Sequence, residues 1–245
     1  MSLYKTQALV LRSKEYAEAD CLLTLLTRKK GKVRAIAKGV RKPTSRLRGG
    51  VQLFTLNEML LYEGKSLDIV TQSQCLEGFT FLQESIGSMT AASYWAELLD
   101  SLTPEGEVDS EVFNLALAGF HIICLEAREL IIHGLEIKLL SLLGYNPLMD
   151  TCVSCGEPLR IQEKIAFSTD LGGVLCSSCI QKDSLYFTRE VMQVWQQMLR
   201  MDLGKLNRIK ISGQGMTILD RVIEDFLYTQ LGHPLKSRPI LKMML

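Results

Sequence analysis

The sequence lacks any run of about 18 to 20 uncharged apolar residues, the length a membrane-spanning helix requires. Its most apolar stretch, residues 112–143, is interrupted by His121, Glu126, Arg128, Glu129, His133, Glu136 and Lys138, so no membrane span is expected. The N-terminus MSLYKTQALVLRSKEY has no basic segment followed by a long apolar one, which argues against a secretory signal. Histidine is scarce. The three present, His121, His133 and His233, stand in neither H-x3-H nor HExxH spacing, and His121 and His133 read as helix residues with satisfied hydrogen bonds. Gly213-Gln-Gly215 lacks the downstream glycine and lysine of a nucleotide loop. No constellation of acid, base and nucleophile stands out, and no enzymatic activity is expected. Internal repeats and low-complexity linkers are also missing.

What is present is a chain of 245 residues, 47% hydrophobic and 22% charged, which suits a globular protein with two cores or one core carrying an insertion. Seven cysteines without a secretion signal point to a reducing compartment, where thiols serve as metal ligands more often than as disulfides. A cytoplasmic, nucleoid-associated location is expected. The net charge of +1 conceals an asymmetry. Residues 1–80 carry 14 Lys/Arg and 7 Asp/Glu, net +7, whereas residues 81–150 carry 2 and 11, net −9. Screening confines each charge to about 8 to 10 Å at physiological salt, so local charge decides what the surface attracts.

Residues 3–77 read as five short strands, 6–12, 21–27, 32–38, 53–62 and 67–74, rich in apolar and β-branched residues and separated by turns such as Lys29-Lys30-Gly31. Five strands of this length can close on themselves and so protect their edges, which favours an OB-fold barrel over an SH3-like one. From Phe79 the periodicity becomes helical. Ala92, Trp95, Ala96 and Leu99 share one helix face, and helices are expected over 88–102, 112–125, 130–143, 189–201 and 216–231. Asp109 and Thr188 stand at two helix starts, and Gly144 with Pro147 and Gly232 with Pro234 at two helix ends. The expected organisation is multidomain α+β: an OB-fold over 1–80, a helical domain over 81–150 and 186–245, and a four-cysteine zinc-ribbon-like insertion over 151–185.

Cys152-Val-Ser-Cys155 and Cys176-Ser-Ser-Cys179 are two C-x2-C pairs, close to the spacing of a zinc ribbon. Four thiolates close a tetrahedral site and leave no position for water, which makes one structural zinc ion the favoured reading. A redox dithiol, an iron–sulfur site and unrelated thiols compete with it, and spacing does not separate zinc from iron. Residues 165–168 and 174–175, around Gly172-Gly173, can form the hairpin joining the two knuckles. Cys21, Cys75 and Cys124 lie in apolar runs and read as core residues.

Between Arg28 and Arg48 stand ten basic residues and no acidic one. Alternation along a strand puts Lys32, Arg34 and Lys38 on one face and Val33, Ala35 and Ala37 on the core side. The candidate phosphate-contacting set is Lys29, Lys30, Lys32, Arg34, Lys38, Arg41, Lys42, Arg46 and Arg48, expected as one surface. Aromatics for base stacking are few near it: Tyr4, Tyr16, Phe54 and Tyr62. A zinc-ribbon protein that binds RNA in transcription or translation is the alternative functional class.

The series Ala8-Leu-Val-Leu-Arg12, Tyr16-Ala-Glu18-Ala-Asp20, Gly31-Lys-Val-Arg34 and Ser45-Arg46-Leu-Arg48-Gly49 resembles the barrel of the RecO family of bacterial recombination mediators. Glu136-Ile-Lys138-Leu-Leu, Leu143-Gly144-Tyr145-Asn-Pro147 and Leu235-Lys236-Ser237-Arg238 extend the resemblance to nearly the whole chain. The resemblance implies an OB-fold, a helical domain and a zinc-binding insertion. It further implies binding of single- and double-stranded DNA, annealing of strands coated by single-stranded DNA-binding protein (SSB), and work with RecR to help load RecA at gaps.

Overall fold

The computed structural model describes residues 2–159, 164–182 and 184–245. Positions 160–163 and 183 of the expected insertion lie outside the described residues. The chain forms two compact units, residues 1–127 with 237–245, and residues 128–236. The helical domain expected over 81–150 and 186–245 is therefore shared between the two.

The first unit begins with β1 (Leu3–Tyr16), β2 (Asp20–Thr27), β3 (Gly31–Ala37), β4 (Leu56–Tyr62) and β5 (Asp68–Glu77). They close into a barrel in the order β1-β2-β3-β5-β4, all neighbours antiparallel except β3 and β5, the arrangement of an OB-fold. β1 pairs with β4 from Leu3↔Tyr62 to Leu9↔Leu56 and with β2 from Ala8↔Thr27 to Tyr16↔Asp20. A register shift between Val10 and Arg12 bends it, so that one strand serves both sides of the barrel. The inward positions alternate small and large, with Ala8, Ala35 and Ala37 beside Leu23, Leu25, Met59 and Leu61, which suits a narrow interior. β4 starts three residues later than expected. Phe54 takes a left-handed φ of 63°, its amide bonds the Val10 carbonyl at 2.9 Å, and its ring packs against Phe120 with centroids 5.7 Å apart.

Two longer helices follow in this unit, α1 (Ile86–Leu102) and α2 (Ser110–Leu125). Asp109 caps α2 by accepting from the Glu111 and Val112 amides at 2.8 and 3.1 Å. Ala92, Trp95, Ala96 and Leu99 are all buried, as their spacing predicts. Trp95 donates its indole N–H to the Ala116 carbonyl at 3.1 Å, and a Cβ added at Gly119 would meet that indole nitrogen at 2.3 Å. Gly119→Ala is expected to cost about 1 to 3 kcal/mol by overpacking, seen as a lowered Tm with an unchanged metal content.

The second unit holds α3 (Glu129–Leu142), β6 (Lys164–Ser168), β7 (Gly173–Leu175), β8 (Leu185–Thr188), α4 (Arg189–Arg200) and α5 (Gly213–Leu231). β6 and β7 form the expected hairpin, and β8, which periodicity did not reveal, pairs on the other edge of β6. Thr188 caps α4 by accepting from the Val191 amide. α5 starts earlier than expected because Ser212 caps it by accepting from the Gly215 amide, in a stretch whose two glycines conceal a helix start. α3, α4 and α5 pack on one another, with Trp195, Phe187, Phe167 and Phe226 in ring contact between sheet and helices.

The chain ends in the first unit with α6 (Arg238–Met244), packed on α1. Ser237 donates its amide to the Glu97 carboxylate at 2.8 Å, and the nearly buried Arg238 donates to the Tyr94 hydroxyl at 2.9 Å. Among the described residues no helix is long and apolar enough to cross a membrane.

Candidate metal centre and nucleic-acid interface

The two C-x2-C segments fold into tight turns that the surrounding backbone holds in place. The Cys152 amide bonds the Glu157 carbonyl at 2.8 Å, and the Gly156 amide, in a left-handed residue, bonds the Cys152 carbonyl at 2.8 Å. Val153 ties this first turn to β7 through the Val174 carbonyl at 2.8 Å, and the Cys179 amide closes the second turn on the Cys176 carbonyl at 2.9 Å. Beneath the turns, Cys152, Ala166 and Leu175 form a small apolar floor. The four sulfur atoms lie within 4.8 Å of one another, and those of Cys155 and Cys176 are 3.7 Å apart. Tetrahedral coordination at a metal–sulfur distance of about 2.3 Å puts sulfurs about 3.8 Å apart, so the cluster has the size of a four-thiolate metal site.

Its electrostatics point the same way. Burial raises the Cys152 thiol, but amides of Cys176, Cys155 and Ser154 donating to its sulfur outweigh burial and bring it down to about 6. The Glu157 amide lowers Cys155, yet the neighbouring Cys152 sulfur, desolvation and the other two thiols push it up to about 12. Cys179 is likewise raised, chiefly by Cys176. Without a cation, one thiolate forms at its neighbours' expense; a divalent ion removes that conflict.

The basic segment is not one surface. β3 is seven residues long, which at roughly 3.3 Å per residue separates its ends by about 20 Å. Arg28, Lys29 and Lys30 sit on the β2–β3 turn, and Lys38, Arg41, Lys42, Arg46 and Arg48 on the β3–β4 connection at the opposite end. The two groups differ in what they face. Arg28 lies 4.9 Å over the Phe113 ring and donates to Asn114, while Lys30 pairs with Glu63 at 3.2 Å. Lys32 is buried, at 8% exposure, with its ammonium 3.3 Å from the Asp100 carboxylate and bonded to the Asp100 carbonyl. Arg34 pairs with Glu105 at 2.6 Å, and Arg12, beside it across β2, with Asp100 at 2.6 Å.

The acidic chain after α1 is thus laid along the outer face of β1 to β3. Gly31 permits this approach, because a Cβ there would meet the Glu107 carbonyl oxygen at 1.9 Å, and the Gly106 amide bonds the Lys32 carbonyl at 2.9 Å. The alternation expected for β3 holds: Val33, Ala35 and Ala37 face inward. The expectation that Lys32 is available to phosphate does not, since a lysine on the outward face is still buried when a helix end covers that face.

The β3–β4 connection is different. Lys38, Lys42, Arg46 and Arg48 are exposed and, among the described residues, none has a carboxylate within ion-pair distance; Lys29 at the other end is the same. Arg41 pairs with Glu15 at 3.0 Å on the surface. Arg41 and Arg48 line a shallow groove with Ser13, Glu15, Gln52 and Leu53. The Arg41 amide bonds the Ala19 carbonyl, fixing the connection against the β1–β2 turn, where Tyr16 is half-exposed. Of the stacking candidates, Phe54 is buried, the Tyr4 hydroxyl bonds Asp68, and Tyr62 precedes Glu63, the partner of Lys30 at the other end, so Tyr16 is the candidate on the side of the β3–β4 connection. Lys14, on the outward face of β1, is a further exposed cation outside the expected set; its place two residues after Arg12 on a strand is the sequence signal for it.

The architecture is that of an OB-fold barrel protein with helices and a cluster of four thiols of the size of a metal site. Residues 1–79 match the family model described as Recombination protein O N terminal, and residues 83–239 the one described as Recombination protein O C terminal. A DNA repair protein RecO of Desulforamulus reducens is 36% identical over 97% of this chain and 93% of its own length. The protein of that name from Heliobacterium modesticaldum is 39% identical over 92% and 84%, and one from Desulfitobacterium hafniense 41% over 97% and 88%. The chain belongs to the RecO family, and its role lies in DNA repair and recombination.

Proposed function

We propose that the chain is a recombination mediator that binds single- and double-stranded DNA, anneals complementary strands coated by SSB and, with RecR, helps load RecA at gaps. The barrel over residues 1–80 serves as the nucleic-acid module, the helices over 81–150 and 186–245 as its partner-binding scaffold, and residues 151–185 as a structural insertion. The observation that carries the DNA-binding part is the group of exposed cations without carboxylate partners on the β3–β4 connection, next to Tyr16. Lys29, Lys38, Arg41, Lys42, Arg46 and Arg48 are the proposed phosphate contacts, with Lys14 added. Lys32 leaves the set because it is buried, and Lys30, Arg34 and Arg41 contribute less because each already holds a carboxylate.

Annealing then needs no acid, base or nucleophile. Two strands held against the same cations repel one another less, and base pairing proceeds. Such a protein works as a mediator and not as an enzyme, in the cytoplasm and on the nucleoid.

Cys152, Cys155, Cys176 and Cys179 would hold one zinc ion, which cross-links the two turns and supplies no open coordination position for chemistry. The decisive experiment is annealing of complementary strands precoated with SSB. Acceleration by the purified chain without nucleotide is expected, together with about one zinc per chain; failure to anneal at any protein-to-DNA ratio would remove the mediator reading.

A further inference from the structure

A second group of metal-type ligands lies in the second unit, apart from the cysteines. Glu129 and His133 stand one turn apart on α3, and Asp220 on α5 faces them. Their ligand atoms lie within 4.8 Å of one another. The His133 Nε2 atom is 3.8 Å from a Glu129 oxygen and 3.9 Å from an Asp220 oxygen. On its other side, Nδ1 is 2.7 Å from a carboxylate oxygen of Glu136, which is fully buried.

The roles of the two ring nitrogens follow from the charge on Glu136. An ionised Glu136 only accepts, so Nδ1 donates to it, and in the neutral ring Nε2 then presents its lone pair to Glu129 and Asp220. Three electron-pair donors converge on one small space. The separations of 3.8 and 3.9 Å exceed a hydrogen bond. They are slightly wider than the roughly 3.0 to 3.4 Å between ligands that share an ion at about 2.1 Å. Glu129 is half-exposed and free to close that gap, whereas the ring is locked by Glu136. A buried carboxylate orienting a histidine from behind is how metal-binding imidazoles are held.

We propose that Glu129, His133 and Asp220 form a second cation site, for a divalent first-row metal ion such as Mn²⁺ or Zn²⁺, bridging α3 and α5. One imidazole and two carboxylates suit ions of intermediate hardness. Three protein ligands leave positions for water on the Glu129 side. The site does not depend on the DNA-binding reading, and it is chemically distinct from the thiolate centre, which Mn²⁺ does not favour.

The competing occupant is a proton, making His133 an imidazolium among three carboxylates. Mn²⁺ titration of the untagged full chain, its cysteine centre preloaded with zinc and followed by the electron paramagnetic resonance signal of free Mn²⁺, separates the two. The expected result is about one saturable Mn²⁺ per chain. Asp220→Asn and Glu129→Gln should each weaken it roughly tenfold or more with zinc content unchanged. These variants are chosen because His133→Ala would strand the buried Glu136. Mn²⁺ should also raise the Tm of the parent chain and not of Asp220→Asn. No saturable binding up to millimolar Mn²⁺, or binding by both variants as tight as by the parent chain, would show that no metal ion occupies the site.

Discussion

Cys152→Ser is expected to reduce bound zinc from about one per chain to none and to unfold the two turns that carry the cysteines, with the Tm falling or the transition losing cooperativity. The reasoning rests on size. The apolar floor beneath the two turns is small, with Cys152, Ala166 and Leu175 as its buried residues, too little to hold the turns unaided, whereas β6 is also packed through Phe167 on Phe187 and Phe226. A structural zinc contributes about 10 kcal/mol or more, which exceeds what so small a core supplies. Cys152 is both ligand and floor, at 1% exposure, so its loss should do more damage than that of the exposed Cys155, although either removes one of four ligands. Cys21→Ser, in the barrel core, is the control and should leave metal content unchanged. The pH dependence follows from the thiols. Cys155 and Cys179 are raised above the ordinary range, so both carry protons at neutral pH and must release them to bind metal. Affinity therefore climbs with pH, about tenfold per unit for each proton released and so at least a hundredfold for these two, and falls on acidification. Chelator competition at pH 6.5 and 7.5 measures this directly, and a pH-independent affinity would mean that those two thiols are not ligands.

Replacing Lys38, Lys42, Arg46 and Arg48 together by Ala is expected to weaken binding of single-stranded DNA by roughly 10² to 10³-fold at 0.1 M salt. Each phosphate contact to a single strand contributes about 0.7 to the slope of log affinity against log salt, so losing four should flatten that slope by about 3. The fold should survive, because all four side chains are exposed and the connection is held by backbone bonds such as that from Arg41 to Ala19. Arg34→Ala is the contrasting variant. Its guanidinium is already committed to Glu105, so the loss should be much smaller, and Glu105→Gln, which releases Arg34, should strengthen binding slightly. If the fourfold variant kept its salt slope while Arg34→Ala lost affinity, the interface would belong on the β1–β3 face instead.

Much of the fold was legible along the chain because it depends on local spacing. Alternation located β2 and β3 to within a residue, and the 3.6-residue period located the buried face of α1 through Ala92, Trp95, Ala96 and Leu99. The misses share a cause, which is that tertiary partners overrode or concealed the local signal. β8 is four residues and exists only as the second neighbour of β6. α6 is seven residues beginning beside a proline, and packs on α1. Phe54 reads as part of a strand but turns into the core against Phe120.

The sequence by itself determined the four-thiol centre, because ligand spacing within a turn is a local property, and it determined that cations gather between Arg28 and Arg48. Only the tertiary structure decided which of those cations remain free. Charge is long-ranged along neither chain nor solvent, so a side chain's availability depends on what packs beside it. Asp100 and Glu105, far away in sequence, neutralise Lys32 and Arg34 and leave the β3–β4 connection exposed. The same reason hid the His133 cluster: Glu129 and His133 share a helix turn, but Asp220 reaches them only through the packing of α5 on α3.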